Sequence, residues 1–82
     1  MKKLDELRER IDGIDDGIVE LLEKRVAFAR KIGLLKQNAG LDVYDEEREK
    51  EVLRKVKSKT SLNKKFIENV FKLIIEYCRE NE

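Results

Sequence analysis

With 82 residues the chain is expected to be a single domain over 1–82, near the lower limit for one core, and its 45% charged residues, four glycines and absent proline favour long helices over sheets. Nineteen basic against eighteen acidic residues leave a net charge of +1, without the basic excess of a nucleic-acid binder. The single cysteine excludes an internal disulfide, no apolar run spans a membrane and "MKKLDELRER" is charged too early for a signal peptide, so a soluble cytoplasmic protein is expected.

The first predicted helix runs from about residue 4 to about residue 37. Apolar residues recur at 4, 7, 11, 14, 18, 21, 28, 32 and 35, the three-and-four spacing of a packed seam. Arg25 is the one break in that seam. Gly13 and Gly17 fall off it and soften the helix without ending it. "QNAGLDVYD" does end it, with Gly40 as the C-terminal stop. Such a helix is roughly 50 Å long at 1.5 Å per residue, against a radius of gyration of about 12 Å for a compact globule of this size. Much of the seam therefore overhangs any monomeric core, and a homodimer with two long helices packed together is expected.

A second, short helix starts at Asp45, a good N-cap, with Glu46 and Glu47 at its positive end and an apolar face of Val52, Leu53 and Val56. "KSKTSLN" has no apolar period and reads as a loop. The third helix, of medium length, starts near Ser61 or Asn63. From Phe66 to Tyr77 it is apolar over more than half its circumference, so it is expected to be buried. The fold class is all-α.

Several polar residues do not fit the packing pattern. Arg25 either marks a register shift of the seam, or packs its stem and sends its head to water, or holds a rigid guanidinium fork for a carboxylate or phosphate. Lys36 lies eleven residues on, about 20° round the helix and roughly 16 Å along it, so the two long side chains can converge on one small ligand. Taken alone it reads as a lysine favoured by a helix C-terminus. Arg8 is about 25 Å from Arg25 along the axis, too far to share a ligand within one chain but within reach across an antiparallel dimer. Glu49 leads the apolar face of the second helix, and Asp45 lies one turn before it. Arg48 reads as a surface partner of an acid, and Cys78 as a small buried hydrophobe. There is no histidine, cysteine cluster or glycine-rich loop, so no metal site, Ser–His chemistry or nucleotide loop is expected. A cationic cluster with a carboxylate in an all-helical pocket suits a small dianion and the stabilisation of developing negative charge.

"LRERIDGID", "LLEKR", "KIGLLK", "DEEREKEVL" and "FIENVFKLIIEYC", in this order and spacing over nearly the whole chain, resemble the all-helical (AroQ-type) chorismate mutases. The resemblance implies an intertwined helical homodimer that rearranges chorismate to prephenate, on the route to phenylalanine and tyrosine, without a cofactor. It implies that Arg8 reaches the site of the other chain and that Arg25 binds a substrate carboxylate. Lys36 would contact the ether oxygen and a carboxylate, while the Asp45 backbone and Glu49 hold the ring-hydroxyl end with Arg48 supporting that wall. Cys78 matches a position near a carboxylate. Glu82 matches one facing the ether oxygen, where a carboxyl has to carry a proton to donate. An isochorismate-pyruvate lyase of the same fold and a non-catalytic helical dimerisation module are the alternatives.

Overall fold

A computed structural model describes residues 1–82 as three helices, α1 (Lys2–Ala39), α2 (Glu46–Lys59) and α3 (Lys64–Glu80), with no strand. α1 runs unbroken through Gly13 and Gly17. It stops at Gly40, whose φ of 70° lies in the left-handed region that glycine enters without steric penalty. The Gly40 N–H bonds to the Gln37 carbonyl and the Leu41 N–H to the Lys36 carbonyl, the paired closure that satisfies the last carbonyls of a helix. Asp45 caps α2 by accepting from the Arg48 backbone N–H at 3.0 Å, and Asn63 caps α3 by accepting from the Phe66 N–H at 2.9 Å. Glu46, Glu47 and Glu49 at the start of α2, and Lys57 and Lys59 at its end, complement the helix dipole.

The connection between α2 and α3 is shorter than the apolar period predicts, because α2 continues through Lys57, Ser58 and Lys59. The Lys64 ammonium supplies the reason. It donates to the carbonyls of Lys57 and Thr60, closing the end of α2 from the first turn of α3. Glu68 then pairs with Lys57 at 3.7 Å across the two helices and with Lys65 and Lys72 along its own.

α3 packs on both other helices, whereas α1 and α2 do not pack on each other directly. The chain is accordingly long and open, 57 × 24 × 16 Å with a radius of gyration of 16.2 Å. Only Ala29, Gly33, Ile75 and Cys78 are buried. The expectation that α3 is buried is not met within one chain: Phe66, Leu73 and Tyr77 are all exposed, because α1 and α2 together cover only part of its circumference. Along α1 the seam residues from Leu4 to Ile18 are 41–61% exposed, so half of the apolar stripe has nothing of its own chain beside it. No helix is long and apolar enough to cross a membrane.

Candidate active site

The space left between α1 and α2, floored by α3, is a cleft of about 400 Å³. α1 contributes Arg25, Phe28, Ala29, Ile32 and Lys36; the facing wall is Val43, Asp45, Arg48, Glu49 and Val52; the floor is Ile75, Cys78, Arg79 and Glu82. These α1 positions follow one helical stripe, so Arg25 and Lys36 face the same space about 16 Å apart along the axis. A larger groove of about 610 Å³ lies between α1 and α3, lined by Val19, Leu22, Val26, Leu73, Ile74 and Tyr77 with only Glu23 and Arg30 charged. It lacks the convergent polar groups that fix a small ligand, and the smaller cleft has them.

Arg25 is half-buried and enters none of the chain's ion pairs. Lys36 is engaged on two sides. Its Nζ donates to the Val43 carbonyl at 2.7 Å and lies 2.9 Å from Glu82 Oε1. The second contact is an ion pair without an aligned hydrogen bond, since Oε1 is buried and has no donor in hydrogen-bonding geometry. Glu82 reaches this place because Gly33 has no side chain. A Cβ on Gly33 would stand 2.6 Å from the Glu82 carbonyl carbon and 2.8 Å from its Cα.

On the opposite wall, Arg79 Nη1 donates to both Glu49 oxygens, at 2.7 and 2.8 Å, and its guanidinium carbon lies 5.0 Å from the centre of the Tyr44 ring. The hydrogen bonding to Glu49 raises the Arg79 pKa above the ordinary arginine value. Arg48 meets Asp45 through its backbone N–H, while its guanidinium pairs with Glu51 at the exposed rim. Cys78 is 4% exposed and lines the cleft as part of its apolar floor.

Of the residues singled out in the sequence, Arg25, Lys36, Asp45, Arg48, Glu49, Cys78 and Glu82 line this one cleft, and Arg8 does not. Arg8 sits on the exposed N-terminal half of α1. The expected cationic cluster with a carboxylate is more nearly balanced than its description. Four basic residues, Arg25, Lys36, Arg48 and Arg79, face Asp45, Glu49 and Glu82, a formal net charge of +1. Two contributors escape the sequence reading. Arg79 is one step past Cys78 and four past Ile75, which places it on the buried row of α3, and that spacing was the available signal. Gly33 carries no sequence signal beyond being a glycine inside a helix.

An all-helical chain with a charge-lined cleft sized for a small molecule is the class that this geometry defines. The family model described as chorismate mutase type II matches residues 7–82, and the chain belongs to that family. It is 30% identical over 80 residues to a protein of Methanocaldococcus jannaschii named chorismate mutase, with 94% of this chain and 81% of that protein covered. A bifunctional chorismate mutase/prephenate dehydratase of Aquifex aeolicus is 41% identical over 71 residues, covering 87% of this chain and 19% of that protein. A 3-dehydroquinate dehydratase of Pyrobaculum aerophilum is 37% identical over 73 residues, covering 89% of this chain and 22% of that protein. The chain thus spans about a fifth of the length of these last two relatives.

Proposed function

We propose that residues 1–82 act as one chorismate mutase domain, in the cytoplasm and as a homodimer, converting chorismate to prephenate. The observation that carries this reading is the half-buried, unpaired Arg25 on the same wall as Lys36, with Glu49 opposite them across a cleft of about 400 Å³, in a chain of the chorismate mutase type II family. The reaction is a rearrangement within one molecule: the ether C–O bond breaks as a C–C bond forms, and no proton or group is exchanged with the protein. The chain therefore needs no nucleophile. It has to hold the flexible enolpyruvyl arm over the ring, an orientational effect, and offer positive charge where the ether oxygen gains electron density.

In this reading Arg25 takes a substrate carboxylate with its planar fork, and Lys36 takes the other end of the arm and the ether oxygen. Glu49 and the Asp45 backbone receive the ring hydroxyl, with Arg48 and Cys78 as neighbouring wall and floor. Glu82 faces the ether oxygen and donates to it only when protonated. With Glu82 ionised, the net charge of +1 falls one short of matching a dianion, and Arg8 of a second chain adds one more. The exposed seam from Leu4 to Ile18 supports the same assembly, since apolar area of that extent is normally covered.

The test is to add chorismate and follow the loss of its diene absorbance, with salicylate fluorescence after isochorismate as the control for lyase activity. Arg25→Ala is expected to lower kcat/KM by about 10²–10³-fold, the range for removing one preorganised charge donor. Absence of turnover by the folded wild-type protein overturns the reading.

A further inference from the structure

The Arg79–Glu49 pair is more tightly built than a surface ion pair. It joins α3 to α2, both side chains are largely covered, and one guanidinium nitrogen bridges both carboxylate oxygens at 2.7 and 2.8 Å. Tyr44 lies against the same guanidinium, 5.0 Å from its carbon, which restricts the arginine from another side. Exposed pairs of long side chains lose entropy when ordered and gain little. Here two further elements hold the arginine in place, and both Arg79 and Glu49 line the cleft.

The consequence concerns the carboxylate. A free glutamate side chain samples several rotamers and presents its oxygens in many directions. A carboxylate has about four lone-pair sites, and a donor bridging its two oxygens leaves the outer ones available for a second donor. We propose that Arg79 is a positioning residue: it fixes the Glu49 carboxylate in the one orientation that accepts the hydroxyl of the ligand's ring. The inference rests on the chorismate reading above and adds to it a residue that touches the acceptor instead of the substrate. Tyr44 is the stop that keeps Arg79 on Glu49.

The ring hydroxyl stands on the carbon next to the one that loses the ether oxygen, but its own C–O and O–H bonds persist throughout, so a contact to it is made alike in ground and transition states. Its loss then appears in KM more than in kcat. A purely structural role for the pair predicts the opposite pattern, a smaller folded fraction with an unchanged KM. Steady-state kinetics per folded site, with folding read by circular dichroism, separate the two. Arg79→Met is expected to raise KM about tenfold or more with kcat within about threefold of wild type. Arg79→Lys, which keeps the charge but not the planar group held against Tyr44, is expected to raise KM about threefold. It carries the test alone if the Met variant does not fold. In a Glu49→Gln background, Arg79→Met is expected to change KM by less than about twofold, because the acceptor it positions has already been altered. Wild-type KM values in the Arg79 variants, or full additivity with Glu49→Gln, overturn the proposal while leaving the chorismate reading intact. No turnover by folded wild-type protein overturns both.

Discussion

Gly33 decides how closely the last residues can approach α1. It is buried, and an added Cβ would collide with the Glu82 backbone, not with a side chain able to swing aside. Gly33→Ala therefore sets two effects against each other. Alanine gains about 0.5–1 kcal/mol within a helix, whereas the clash pushes Glu82 away from Lys36. The expected outcome is a fall in kcat/KM of about tenfold or more with α1 still helical, measured by chorismate kinetics beside circular dichroism. Kinetics equal to wild type would show that the close approach is unimportant to the site. At this scale the sequence was unevenly informative. Arg25 was legible because it stands against an apolar pattern, and Lys36 because it lies only about 20° round the helix from Arg25. Arg79 was not, because a basic residue in the last turn of a helix already has a sufficient reason in the helix dipole.

The joint between α2 and α3 is held by charge as well as by apolar contact. Glu68 faces Lys57 on α2 and Lys72 and Lys65 on α3, and its pKa is lowered below the usual glutamate value chiefly by Lys57, then by Lys72. A carboxylate whose folded-state pKa lies below its unfolded value, about 4.3, contributes stability above that value and loses it as pH falls through the folded pKa. Thermal midpoints measured from about pH 5 down to about pH 3 are expected to drop less steeply in Glu68→Gln than in wild type. Equal slopes would mean that the cluster adds nothing measurable to stability in solution. The three helices, the Asp45 cap and the Gly40 stop follow from periodicity and capping chemistry alone. The end of α2 did not, because it depends on Lys64 reaching back across the connection, a contact between elements that no local pattern carries.

Over the whole molecule, a chain 57 Å long buries only four residues, little interior for a domain of this length. The proposed dimer makes a stringent prediction. Arg8→Ala and Arg25→Ala are each expected to be nearly inactive alone. If Arg8 enters the partner's cleft, a mixed dimer keeps one intact cleft and loses both arginines from the other. Random exchange at equal concentrations makes about half of the dimers mixed, so about a quarter of wild-type activity returns. No recovery after refolding the two variants together would place Arg8 outside the site. The overhanging seam let a second chain be expected from length and periodicity, while the width of the cleft had no sequence signature. That width has an unusual determinant. α1 and α2 do not pack on each other, so their separation rests on α3 and on the short connection Gly40–Asp45. Lys36 binds this connection at both levels, its backbone carbonyl taking the Leu41 N–H and its ammonium the Val43 carbonyl. Surface loops ordinarily absorb insertions and deletions. In this chain one residue gained or lost between Gly40 and Asp45 would move a whole wall of the cleft, which makes this loop the stretch where length is least free to drift.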